Sequence, residues 1–168
     1  NTGGSGSGAD GAGVSIRSSY FAAEFNGLEV SNSTGPGVFA LNGGAIKGSD
    51  WNLYDNGQEG FYLESAATIV DGIQLRNNGD SGVHIDDARY VYLSNLSSSN
   101  NGDAGLEFNR ANDIESGSGD VSCTSCTSVG DTRGVVISDS VDIYLHDLEI
   151  HDPTSGPAIS IDNSGLNI

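Results

Sequence analysis

The sequence predicts an all-β solenoid of about six to seven coils, each 22–24 residues long and built of parallel strands. Two recurrences and one absence predict it. First, a glycine, or once an alanine, opens a short alternating apolar strand seven times: Gly13-Val-Ser-Ile, Gly37-Val-Phe-Ala, Gly60-Phe-Tyr-Leu, Gly82-Val-His-Ile, Gly105-Leu-Glu-Phe, Gly134-Val-Val-Ile and Ala158-Ile-Ser-Ile. The steps between these openings are 24, 23, 22, 23, 29 and 24 residues. Second, the coils close on matched turn chemistry, Asp55-Asn-Gly-Gln, Asn77-Asn-Gly-Asp and Asn100-Asn-Gly-Asp, where Asn-Gly steps favour positive φ. Third, Gly, Asn, Asp and Ser interrupt every window that a 3.6-residue apolar period would need.

Residues 1–12 are Gly/Ser-rich, cannot bury apolar area, and read as a flexible segment or a ragged first coil. The regular coils occupy 13–168, and the final segment, Ser164-Gly-Leu-Asn-Ile168, stops in mid-pattern, so the chain reads as a fragment of a longer one. The coil from Gly82 to Ala104 shows the plan. Val83 and Ile85 point inward while His84 points outward, because successive side chains of a strand alternate. Asp86-Asp-Ala88 ends that strand, Val91 and Leu93 form a second, and Leu96 marks a third. Phe61, Leu63, Ile69, Ile73 and Leu75 repeat the plan one coil earlier, and Ile143, Leu145, Leu148 and Ile150 two coils later. Three strands per coil make a triangle whose coils stack about 4.8 Å apart. A β-carbon at the opening glycine would obstruct the corner.

Composition narrows the function. Six basic residues against 23 acidic ones give a net charge of −17. Phosphate and anionic lipid binding depend on Lys and Arg, so nucleic acid and membrane surfaces are excluded as partners. No stretch approaches the roughly 18 apolar residues of a membrane span. The acidity suits either solubility through self-repulsion or a high-salt habitat. Asn32-Ser-Thr and Asn95-Leu-Ser fit the glycosylation pattern, and with the two cysteines they lean toward an extracellular, cell-surface or virion location.

The strings Asn-Asn-Gly-Asp-Ser-Gly-Val-His-Ile (77–85) and Asn-Asn-Gly-Asp-Ala-Gly-Leu-Glu-Phe (100–108) resemble the repeats of right-handed parallel β-helix proteins. More narrowly, they look like the β-helix repeats shared by carbohydrate-binding proteins and sugar hydrolases, among them pectate-lyase-like enzymes, polysaccharide epimerases and phage tailspikes. The resemblance covers about residues 13–168. It implies the handedness of the coil and a polysaccharide or cell-surface glycan as partner. The Asp-Pro-His element of alginate epimerases, the Asn-Thr-Asp and Gly-His-Gly elements of polygalacturonases and the arginine motif of pectate lyases are missing here.

Candidate chemistry follows from the outward positions. Ser15, Phe39, Tyr62, His84, Glu107, Val136 and Ser160 should form one column, flanked by Glu64, Asp86, Asp87, Arg89, Asn109, Arg110, Ser138 and Asp139. Aromatic rings stack on a pyranose while charged groups bind its hydroxyls, so Phe39, Tyr62, His84, Glu64, Arg89 and Arg110 are the candidate substrate contacts. If the groove is catalytic, Asp86, Asp87, Glu107 and Asp139 are the acid/base candidates, since glycoside hydrolysis needs a carboxyl pair. A lyase or epimerase would instead abstract a proton with His84, Tyr62 or Arg110 beside a neutralising cation. Asp80, Asp103 and Asp131 recur near one turn, where oxygen ligands in register would suit Ca²⁺; turn chemistry with a stacked asparagine ladder is the alternative. Cys123 and Cys126 fall in the overlong coil, either as a local disulfide stapling its loop or as two small thiols in the stack. The competing function is a structural or adhesive shaft of a cell-surface or viral assembly, self-associating through open solenoid ends.

Overall fold

The computed structural model describes residues 11–17, 22–42, 44–111, 121–164 and 166–167. Most of the glycine-rich 1–12 segment therefore lies outside the described residues. The strands are β1 (Val14–Arg17), β2 (Ala23–Asn26), β3 (Glu29–Ser31), β4 (Val38–Leu41), β5 (Ile46–Tyr54), β6 (Phe61–Glu64), β7 (Thr68–Arg76), β8 (Val83–Asp86), β9 (Val91–Ser99), β10 (Ala104–Asn109), β11 (Val121–Val129), β12 (Arg133–Ser138), β13 (Ile143–His151), β14 (Ile159–Asp162) and β15 (Leu166–Asn167). Every pairing is parallel, and strands alternate between two sheets. One sheet runs β1-β4-β6-β8-β10-β12-β14, the other β15-β13-β11-β9-β7-β5-β2, with β3 also on β5. The chain is a parallel β-solenoid.

The triangle arises from one residue. Strands β5, β7, β9, β11 and β13 are each nine residues long, and the fifth residue of each has positive φ: Asp50, Gly72, Asn95, Ser125 and Asp147. Gly27 does the same between β2 and β3. A left-handed residue turns the strand without breaking its ladder, so the two later strands of each coil are one bent strand. L-residues pay about 1–2 kcal/mol there, with Gly, Asn and Asp the usual occupants. The other two kinds of corner use it again, at Asn42, Ser65, Asp87, Arg110, Asp139 and Asn163, and at Asn32, Asp55, Asn77, Asn100, Gly130 and Asp152.

Inward columns make the core. Val38, Phe61, Val83, Leu106 and Val135 stack in register, as do Ala40, Leu63, Ile85, Phe108 and Ile137, all fully buried. Trp51 lies among them, its indole N–H donating to the Phe25 carbonyl at 2.8 Å. Beside the apolar stack runs a buried polar one. The Asn56 side chain donates to Asn78 Oδ1 at 3.0 Å, Asn78 to Asn101 at 2.9 Å, and Asn101 to Asp131 at 2.9 Å. The backbone N–H groups of Asn56, Asn78 and Asn101 donate to the same oxygens, and that of Ser33 donates to Asn56 Oδ1. The opening glycines face this ladder. A β-carbon on Gly60 would meet Leu75 Cδ2 at 2.5 Å, and one on Gly82 would meet Ser98 Oγ at 2.5 Å. Neither has positive φ, so close approach and not turn geometry demands glycine here.

Cys123 and Cys126 form a disulfide. It does not staple a loop: both cysteines are fully buried in β11, either side of the Ser125 corner. Cys123 lies in register with Leu93 and Leu145, and Cys126 with Leu96 and Leu148, so the bridge replaces a stacked aliphatic pair. The extra length of the 29-residue step falls between the Arg110 corner and Val121, mostly in 112–120, outside the described residues.

Candidate functional site on the short-strand sheet

The outward residues of the short-strand sheet stack as Ser15, Phe39, Tyr62, His84, Glu107, Val136 and Ser160. Phe39 lies flat on Tyr62, with centroids 5.2 Å apart and planes within 3°. His84 meets Tyr62 edge-on at 5.0 Å, and the Arg17 guanidinium sits 5.4 Å over Phe39. The ring faces are thus turned along the rod axis and occupied by neighbours. Phe39 and Val136 are only 4% and 7% exposed. The column therefore offers solvent no flat aromatic platform; it offers ring edges, a phenol, an imidazole and carboxylates around Tyr62, His84 and Glu107.

Those polar groups converge on His84. Its Nδ1 lies 3.6 Å from Glu59 Oε1 and 3.7 Å from Glu107 Oε2, while its buried Nε2 has no hydrogen-bond partner. Ser81 Oγ donates to Glu107 Oε2 at 2.7 Å and fixes that carboxylate. Burial pulls the imidazole pKa down, but Glu59, Glu107 and Asp86 outweigh it, and the net shift is upward. The Tyr62 hydroxyl donates to Glu64 Oε2 at 3.2 Å. Burial first, then Glu64, Asp86 and Glu59, raise its pKa, so the phenol stays a donor. Asp80 is raised too, by burial and then by Glu59, Asp103 and Glu107.

Glu64 and Asp86 stand in register beside the column, and Asp86 pairs with Arg110 at 2.7 Å. Asp87, next in sequence, turns away at the corner, where Ser65 Oγ donates to it at 3.2 Å. Asp139 occupies a corner two coils on and accepts from Asn163 Nδ2 at 2.8 Å. Arg89 lines a depression with Ser65, Ala66, Ala67, Asp87 and Tyr90. The four candidate carboxylates Asp86, Asp87, Glu107 and Asp139 thus do not share one site. Of the four only Glu107 faces His84 Nδ1, and it is joined there by Glu59, which the sequence reading did not single out.

The Asp80, Asp103 and Asp131 trio also comes apart. Asp131 is fully buried as the last member of the asparagine ladder. Arg133, in register with Ala104, donates from Nε and Nη2 to the two Asp103 oxygens at 2.6 and 2.5 Å. A cation there already neutralises Asp103. Among the described residues no group of three His, Cys, Asp or Glu has metal-holding geometry. His146 and His151 stand on β13, outside this cluster.

Fold and face together define a parallel β-solenoid with a polar sidewall site instead of an enclosed pocket. A family model described as the right handed beta helix region matches residues 12–168, and the chain belongs to that family. No curated protein and no solved structure matches it.

Proposed function

We propose that this β-helix binds neutral polysaccharide along the short-strand sheet, outside the cytoplasm. The observation that carries the reading is the convergence of Glu59, Tyr62 and Glu107 on the mostly buried imidazole of His84. These side chains lie outside the buried ladder that pairs one coil with the next. A row of hydroxyl-binding donors and acceptors repeated along a rod suits a polymer of repeating hydroxylated units. The carboxylates disfavour uronate chains, because like charges at close range cost free energy. The buried disulfide supports an oxidising compartment, where such bonds persist.

Any acid/base step on the bound glycan would draw on His84, Glu107 and Asp86. Binding of neutral and uronate oligosaccharides by wild type, His84→Gln and Glu107→Gln, measured by calorimetry, tests the reading. Neutral chains should bind and both variants should weaken them at least fivefold. Wild type that binds no glycan, or only uronates, refutes it.

A further inference from the structure

We propose that an uncharged column on the outer face of the long bent strands, Asn52, Gln74, Ser97 and Thr127, is a second glycan track with a notch beside it at Gly72. This rests on the glycan reading above and extends it to a side of the rod that has no other role. The column lies past the bend, on a different side of the triangle from the short-strand sheet. A polymer lying along one therefore does not touch the other.

Three observations converge on it. The first is charge. Asn52, Gln74, Ser97 and Thr127 stand in register on β5, β7, β9 and β11, with Glu29 and Glu149 at the two ends of the column. In a chain of net charge −17 this is a neutral run bounded by carboxylates. The second is the notch. At the bend Asp50, Asn95, Ser125 and Asp147 each carry a side chain, and Gly72 does not. A depression of about 290 Å³ opens around Gly72, lined by Asp50, Trp51, Asn52, Gln74, Asn95 and Ser97. Asp, Asn and Ser hold the same positive φ in neighbouring coils, so turn geometry alone does not require glycine here. Asp50 Oδ1 lies 3.3 Å from the place of a Gly72 β-carbon, while the Ser49 hydroxyl donates to Oδ2 at 3.2 Å. The third is an unmet acceptor. Asn52 Oδ1 is buried and has no hydrogen-bond partner, so a donor reaching it relieves the cost of that burial.

The chemistry of the track matches one ligand class. Amides and hydroxyls both donate and accept, as the hydroxyls of a sugar do. A metal ion would use only the oxygens, and Asp50 is the single carboxylate lining the notch. The column advances about 4.8 Å per coil, close to the advance per unit of an extended β-1,4-linked chain, so one sugar lies on each coil. Four coils between Glu29 and Glu149 hold about four units, and these carboxylates with Asp50 disfavour a uronate.

The test uses the full chain, isotope-labelled, with β-1,4-linked glucan, xylan and mannan oligomers of two to six units. Side-chain amide signals of Asn52 and Gln74 in magnetic resonance report the track, and calorimetry reports total binding. At least one oligomer series should move both signals, with affinity rising at least threefold per unit up to four and less than twofold beyond. Gly72→Asn fills the notch with a residue that tolerates positive φ. Gln74→Ala shortens the middle of the column at an exposed position. Each should weaken the response at Asn52 at least fivefold, with a thermal midpoint near that of wild type. Lys47→Gln, on the other arm of β5, should change it less than twofold. A response at Asn52 and Gln74 that survives in His84→Gln supports a site separate from the short-strand sheet. Calorimetric binding with both signals unmoved, or unweakened in Gly72→Asn and Gln74→Ala, overturns the track and leaves the short-strand reading standing. Wild type that binds none of the oligomers overturns both.

Discussion

Two polar columns run along this rod, and they are built from neighbouring residues of the same repeat. Asn56, Asn78, Asn101 and Asp131 face in; Asp80, Asp103, His84 and Glu107 lie outside, a few residues away. The inner column satisfies both its side chains and the backbone N–H groups beside them. The outer one leaves a buried imidazole nitrogen unpaired and crowds carboxylates until Asp80 resists ionisation. Polarity that is fully paired stabilises the coil, because each group left unpaired costs about 1–3 kcal/mol. Underpaired polarity weakens it and remains available to a ligand.

The strongest way to break this contrast is Asn78→Ala. It strands the Asn56 backbone and side-chain N–H groups and the Leu53 carbonyl, a loss of about 3 kcal/mol or more, measured by urea denaturation. Reducing the disulfide should cost less. It closes a loop between residues only three apart, so the loop-entropy account gives about 2 kcal/mol, and full burial should keep reduction slow until the protein unfolds. Thermal midpoints with and without reductant check this.

The smallest effect is on the outer column, and it depends on pH. The raised pKa of His84 gives stability that is fully present below its ordinary value of 6.5 and lost as pH rises through the folded value. The raised pKa of Asp80 acts in the same direction: ionisation above its ordinary 3.8 disfavours the folded state. Thermal stability should therefore fall from mildly acidic toward alkaline pH. His84→Gln should flatten the upper part of that fall, and Asp80→Asn should raise the midpoint at neutral pH. A wild-type profile that rises between pH 6 and 8 would contradict the His84 assignment, and an Asp80→Asn midpoint no higher than wild type at neutral pH would contradict that of Asp80.

The coil was legible because a stacked solenoid imposes the same in/out pattern every turn. Val83, Ile85 and their equivalents announce the core, and the Asn-Gly steps at 56–57, 78–79 and 101–102 announce a corner. The corners at Ser125, Arg110 and Tyr90 were not legible, since none of these residues favours positive φ and neighbouring coils impose it. The alignment also slipped in the long coil. Gly130-Asp131 looks like the Gly-Asp of Asn78-Gly-Asp and Asn101-Gly-Asp, yet Gly130 takes the left-handed place of Asn77 and Asn100, and Asp131 that of the ladder asparagines. The outward column could be counted from the sequence, but not the direction in which its rings face. Register brings Phe39 onto Tyr62, and contact between rings then consumes the faces a sugar would need. Glu59 escaped notice because it precedes an opening glycine, before the alternation begins, and reaches His84 only from the neighbouring coil.

The ladder also has a direction. Each amide accepts from the coil before it and donates to the coil after it, so every side-chain dipole points the same way along the rod. Asp131 stands where the positive ends of those dipoles arrive, and a carboxylate has acceptors only. One coil on, the same place falls to Pro153, which has neither a backbone N–H nor a polar side chain, so the wire stops here. Asp131 is a terminator, written into a repeat whose other members all relay.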